Sequence, residues 1–138
     1  MQNTGKIRIL IIDDEADFRE NLRILLMLEG YAAQVAEDAI EGGKALLEEK
    51  PDLIISDINM PYMDGLELLS LLRSNEDTKS TPVILVSARS DIDTLGQASQ
   101  LGASDFLIKP LSRERLLSSI KACLKTAADR HSPISGKS

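Results

Sequence analysis

Four short apolar runs along this chain each stop at a polar or charged side chain. Ile7-Arg8-Ile9-Leu10-Ile11-Ile12 stops at Asp13-Asp14, and Leu53-Ile54-Ile55-Ser56 stops at Asp57. Val83-Ile84-Leu85-Val86 stops at Ser87, and Phe106-Leu107-Ile108 stops at Lys109-Pro110. Runs this short, with apolar residues on both faces, read as buried parallel strands. Ala32-Ala33-Gln34-Val35-Ala36 is a weaker fifth candidate. The intervals between them have helical spacing. Acids at Asp14, Glu15 and Asp17 suit a helix start, followed by Phe18, Leu22, Leu25, Leu26 and Met27, with Gly30 as the stop. Residues 38–49 form a second helix with Ala39, Leu46 and Leu47 as its apolar face. Asn59 to Gly65 is rich in turn residues, and Leu66 to Arg73 is a third helix. A fourth, from Ile92 to Leu101, is weakened by Gly96, which costs about 1 kcal/mol relative to alanine. A fifth starts near Ser112 and carries Leu116, Leu117, Ile120 and Leu124 on one face.

Strand and helix therefore alternate five times. That alternation predicts an α/β fold, a doubly wound five-stranded parallel sheet with helices on both faces. The flavodoxin-like strand order 2-1-3-4-5 sets the first and third strands side by side, with ligands held beyond the carboxyl ends of the strands. In that order Asp13, Asp14 and Asp57 become neighbours, and Ser87 and Lys109 reach the same edge. Residues 1–127 are read as the domain. Residues 128–138, which from Asp129 onward hold one apolar side chain, Ile134, are read as a disordered tail or a linker cut short.

Composition narrows the function. The chain's 138 residues with 43% apolar content support one domain with its own core. A net charge of -6 argues against direct nucleic-acid binding, whose footprint is basic. Aromatic content of 3% leaves no stacking platform for single strands. The single cysteine, Cys123, excludes an intrachain disulfide and fits a reducing compartment. No apolar stretch reaches the ~18 residues of a membrane span, and no signal-peptide pattern opens the chain. The expectation is a cytoplasmic protein without membrane contact.

Clustered carboxylates repel, by about 4 kcal/mol per ionised pair at ~4 Å and an effective dielectric near 20. A fold retains such a cluster when a cation or a shared proton relieves it. Oxygen-only donors favour a hard ion such as Mg2+. The plainer reading makes Asp13 and Asp14 caps of the first helix and Asp57 an ordinary loop acid. Ser87 and Lys109 at the same edge weigh against it.

With these residues assembled, the chain resembles the receiver domain of two-component response regulators over roughly residues 6 to 126. The matching features, in order, are Asp13-Asp14, Asp57, Met60-Pro61 with Asp64-Gly65, Ser87-Ala88, and Lys109-Pro110. The resemblance implies that Asp57 is a phosphoacceptor, served by a sensor histidine kinase or a phosphotransfer protein. It implies Mg2+ held by Asp14 and Asp57, by Asp13 mostly through water, and by the backbone carbonyl of Asn59. Ser87 and Lys109 would each engage a phosphoryl oxygen, and Lys109-Pro110 would be a cis peptide. Phe106 would be the switch aromatic that follows Ser87. Side chains at Asn59 and Arg89 would flank the path of the hydrolytic water and tune lifetime. The implied consequence is a changed surface on helix four, strand five and helix five. That surface would control an output domain or effector protein, or form a phosphorylation-dependent homodimer. The implied catalysis is limited to self-phosphorylation and slow self-hydrolysis.

Three other readings fit the residues less well. An aspartyl-phosphate hydrolase of the haloacid dehalogenase type wants an acid two residues after the nucleophile, where this chain has Asn59. A flavodoxin-like cofactor module needs a phosphate loop after strand one, where Asp13-Asp14-Glu15-Ala16-Asp17 would repel a phosphate. A degenerate receiver, acting as a phosphorylation-independent interaction module, would not keep all the matching positions filled. Met27, Met60 and Met63 read as core or loop packing. Asp91 and Asp93 read as helix-start acids, Cys123 as half-buried, and His131 as a tail residue without a metal or relay role.

Overall fold

A computed structural model of the chain describes residues 5–88 and 92–131, with side chains to 129. Five strands and five helices alternate: β1 (Arg8–Ile12), α1 (Ala16–Leu28), β2 (Ala32–Ala36), α2 (Ala39–Glu48), β3 (Leu53–Asp57), α3 (Gly65–Ser74), β4 (Val83–Ser87), α4 (Ile92–Gln100), β5 (Asp105–Ile108) and α5 (Arg113–His131). The sheet is parallel throughout, in the order β2-β1-β3-β4-β5.

Alternation along the strands divides the core into two layers. Ile9, Ile11, Ile55, Ile84, Val86 and Leu107 face α1 and α5, where they meet Leu22, Leu26, Leu116 and Ile120. Leu10, Ile12, Ile54, Val83 and Leu85 face the other side and meet Ala45, Leu68, Leu69, Leu72 and Ala98. The central strands β3 and β4 are buried from end to end. That double burial explains their unbroken apolar composition.

Several local expectations change. Leu47 is not on the buried face of α2 but is 90% exposed, while Gly42 and Ala45 face the sheet. Gly42 is fixed by packing, because a Cβ there would come within 2.7 Å of Ile12 Cδ1. Met27 is half-exposed on α1 and fills no core, whereas Met60 and Met63 pack against the second layer. Cys123 is buried rather than half-buried. Burial, with Asp105 adding to it, pushes its thiol pKa up, against a reactive role. α4 forms despite Gly96, since Ala98 buries against the sheet. α5 runs on to His131, so residues 128–131 continue a helix where a tail was expected. Arg89, Asp91 and positions 132–138 lie outside the described residues. Asp93 stands in the first turn of α4, where an acid suits the helix dipole.

Two anchors fix the helices beyond apolar packing. Arg73, at the end of α3, spreads its guanidinium over the carbonyls of Thr78, Thr81 and Gly102 at 2.7–3.3 Å. Ser119 of α5 donates to Asp105 of β5 at 2.6 Å.

Candidate functional site

Register brings the chemistry together. Ile12 pairs with Ser56, so Asp13 and Asp57 are the next residues along two neighbouring strands. Asp57 pairs with Val86, and Ser87 lies one position beyond. Ser87 pairs with Ile108, and the Lys109 N–H donates to the Ser87 carbonyl at 2.8 Å. All of these side chains therefore leave the carboxyl edge of the sheet. Asp13, Asp57 and Ser87 are buried and Asp14 is exposed.

Carboxylate oxygens of Asp13, Asp14 and Asp57 lie within 4.8 Å of one another. Lys109 Nζ is 3.0 Å from Asp13 Oδ2, 2.8 Å from Glu15 Oε1 and 3.8 Å from Asp57 Oδ2. It also stands 4.1 Å from the centroid of the Phe18 ring. The Lys109-Pro110 peptide is cis. Asp13 is held in place rather than capping α1. Its Oδ1 accepts from the Glu15 N–H at 2.8 Å, and its backbone carbonyl accepts from Arg19 Nη1 at 2.7 Å. The residue at the helix cap is Glu15, whose side chain makes no cap hydrogen bond.

Charge in this pocket is unbalanced. Burial, reinforced by the Asp13 carboxylate, raises the Asp57 pKa to about 6 against the pull of Lys109 and of the Asn59 and Ile58 amides. Burial also opposes the charge on Lys109, yet contacts with Glu15 and Asp13 and the nearby Asp57 leave its pKa above the ordinary value. Glu15 moves the other way, held below the usual carboxylate range by its hydrogen bond to Lys109. One ammonium thus serves three carboxylates.

The donor set fits a hard divalent cation. Asp13 Oδ2 is buried with no hydrogen-bond partner; its contact with Lys109 is an ion pair without hydrogen-bond alignment. The Lys109 ammonium offsets part of the cost of burying that acceptor, and a divalent cation at the cluster would offset more. The neighbouring donors are oxygens, as Mg2+ requires.

The loop after β3 is anchored directly behind Asp57. Gly65 donates its N–H to the Ile58 carbonyl at 2.7 Å. A Cβ at Gly65 would sit 2.4 Å from the Asp57 carbonyl oxygen and 2.8 Å from Ile58 Cα. Only glycine permits that approach. Asp64 and Glu67 then close a reciprocal capping box that starts α3.

Phe106 lies opposite Leu85 and packs in the second core layer, the layer to which Ser87 also turns. Sequence reasoning did not identify Glu15 and Phe18 as partners of Lys109. Their available signal was position, since both fall in the first turns after Asp13-Asp14.

The family model for the response regulator receiver domain matches residues 9–121. The chain belongs to the response regulator receiver family. Among relatives, it is 34% identical over 127 residues to response regulator MprA of Mycobacterium sp. (strain KMS), covering 92% of this chain and 54% of that protein. It is 35% identical over 119 residues to MprA of Mycobacterium ulcerans (strain Agy99), covering 86% and 50%. The receiver thus spans about half the length of these relatives. Among solved structures, chemotaxis protein CheY4 of Vibrio cholerae superposes with a TM-score of 0.81 at 28% identity, covering 86% of this chain and 98% of that one. A CheY-like receiver domain protein of Methanospirillum hungatei JF-1 gives 0.84 at 28% identity, covering 91% and 98%. As a response regulator receiver, the domain works in two-component signalling. No described helix is long and apolar enough to cross a membrane.

Proposed function

We propose that this receiver is a phosphorylation-dependent switch with Asp57 as the acceptor. The observation that carries the reading is the convergence of Asp13, Asp14 and Asp57 with Lys109 at one sheet edge. Asp57 Oδ attacks the phosphorus of a phosphohistidine on a sensor kinase or phosphotransfer protein. The O–P bond forms as the N–P bond breaks, and the imidazole leaves with the electron pair. Asp13, Asp14, Asp57 and the Asn59 carbonyl would hold Mg2+, which supplies charge neutralisation on the transferred group. Lys109 pairs with one phosphoryl oxygen and Ser87 donates its hydroxyl to another.

The output follows from Ser87 and Phe106 sharing a face. Drawing the Ser87 hydroxyl toward the phosphoryl group vacates space beside β4 and β5, into which the Phe106 ring moves. The α4–β5–α5 surface then favours a partner or output domain that binds this conformer better. Exposed Ile92, Leu95 and Ile108 supply apolar contact on that surface, which also suits a phosphorylation-dependent homodimer. Gel filtration with and without a phosphoryl mimic reads that dimer directly.

The central test is intact-mass spectrometry after incubation with acetyl phosphate, with and without Mg2+. Wild type is expected to gain one phosphoryl group only with Mg2+, and Asp57→Asn to gain none. A gain that survives in Asp57→Asn would overturn the acceptor assignment.

A further inference from the structure

An apolar groove of about 400 Å3 runs between α2 and α3, and the switch chemistry makes no use of it. Ile40 and Leu47 of α2, Leu71 of α3 and Tyr62 at the mouth are 52%, 90%, 53% and 79% exposed. Large apolar side chains this exposed, gathered around one concavity, mark an interaction surface.

Gly43, which lies between Ile40 and Leu47 in the groove wall, supports that reading. A Cβ on Gly43 would meet nothing within 4 Å. Neither packing nor backbone geometry asks for glycine there, and a helix interior disfavours it. The adjacent Gly42 differs, because packing on Ile12 requires it. Glycine at position 43 leaves that part of the groove wall bare down to the backbone. At the mouth, Tyr62 holds a left-handed conformation with φ 73°, uncommon outside glycine and enriched at ligand-contacting sites.

Shape and charge select the occupant. α2 and α3 each span 10 residues, about 15 Å, which suits a partner helix of about three turns. As crossovers between parallel strands they run the same way, so both negative dipole ends lie together. Glu48, Glu49, Glu76 and Asp77 stand at that end, and Asp77 lines the groove. Against them stand Lys50, Arg8, paired with Glu49 at 3.5 Å, and Lys79, paired with Glu76 at 3.1 Å. Among the described residues' ion pairs, that leaves Glu48 and Asp77 as the acids at this end without a cation. Arg73 is turned away onto backbone carbonyls. A second copy of this face would bring acids against acids. We propose that the α2–α3 groove docks an amphipathic helix of a partner protein, with apolar residues at i, i+3/i+4 and i+7 and basic residues over Asp77.

The probe is a display library of amphipathic peptides of about 16 residues, apolar at those spacings and randomised elsewhere. Selection on the full chain is expected to enrich peptides with Lys or Arg in one terminal turn. These should cause saturable amide shifts at Gly43, Leu47, Tyr62 and Leu71. Leu47→Glu and Gly43→Gln should each weaken binding about tenfold or more, with amide resonances remote from the groove unchanged. Gly43→Ala should raise the thermal midpoint while weakening the peptide; a glycine needed only by the fold would lower the midpoint instead. The proposal is overturned by no enrichment, by shifts on another face, or by affinities indifferent to Leu47→Glu and Gly43→Gln. It is equally overturned if the groove is filled by a second copy or by a peptide of residues 128–138.

Discussion

The Lys109 ammonium stands closer to Glu15, at 2.8 Å, than to Asp57, at 3.8 Å. Glu15 is exposed and Asp57 buried, so the lysine is shared between a surface acid and a buried one. For Lys109 to pair fully with a phosphoryl oxygen, it must give up part of its contact with Glu15.

Glu15→Gln is therefore expected to release Lys109 toward Asp57. The initial rate of Mg2+-dependent phosphorylation by acetyl phosphate should rise severalfold. The Lys109 pKa should fall, because its hydrogen bond with Glu15 is among the causes holding it up. Single-turnover rates and the titration of the lysine Nζ resonance check both, and a slower rate would refute the competition. Stability should be nearly unchanged, as is usual for an exposed ion pair.

Asp57→Asn should stabilise the unphosphorylated fold above neutral pH. The Asp57 carboxyl holds its proton to about 6 in the fold, against 3.8 as the ordinary value. The folded chain thus binds the proton more tightly than the unfolded one. The associated stability is complete below 3.8 and is lost as pH rises through 6. The full shift is worth up to about 3 kcal/mol, and water at the mouth of the site reduces that to about 1–2. Urea melts at pH 7.5 should show that gain for Asp57→Asn, and melts at pH 3.5 should show none. An equal gain at both pH values would mean that ionisation of Asp57 is not its source.

Adding Mg2+ should raise the thermal midpoint of wild type, and less so for Asp57→Asn or Asp13→Asn. Because Asp57 titrates near 6, ion binding at pH 6 should displace about half a proton, and at pH 8 almost none. Calorimetry in two buffers of different ionisation heat measures that difference. A proton count independent of pH would place the ion away from Asp57.

Gly65→Ala should be far more damaging than its size suggests. The added methyl would overlap the backbone of Asp57 and Ile58, a kind of overpacking that costs about 1–3 kcal/mol. Relief requires moving the end of β3 or the start of α3. Phosphoryl gain at Asp57 should drop more steeply than stability, whereas Gly43→Ala should lower neither. Parallel urea melts and mass spectra of the two variants provide the comparison.

The strands were legible because burial on both faces leaves apolar runs that no other local structure explains. β3 and β4 are the clearest cases. β2 read weakly because it is an edge strand with Gln34 and Val35 open to solvent. It holds its place by pairing with β1 from Ala32 to Ala36, which its own sequence does not display. The acids, Ser87 and Lys109 were legible because a parallel sheet sends strand ends to one edge. The Leu47 error had a physical cause: periodicity finds an apolar stripe but cannot tell whether sheet or solvent lies beyond it. Contacts that join distant segments, such as Lys109 with Glu15 and Phe18, depend on side-chain paths across the edge. Position just after Asp13-Asp14 was the one hint the sequence held.

Gly65 ties two positions of the chain together in a way that limits how the sequence can drift. Its N–H holds Ile58, and its bare Cα is the reason the Asp57 carbonyl can lie against the start of α3. The segment between them is therefore a strap of fixed length. A residue inserted or deleted between 58 and 64 would have to be absorbed by the loop while Gly65 keeps its place against Asp57 and Ile58. Substitutions within the strap, as at Tyr62, can reshape the mouth of the α2–α3 groove. Changes in its length keep the Asp57 geometry only where both anchors stay in place.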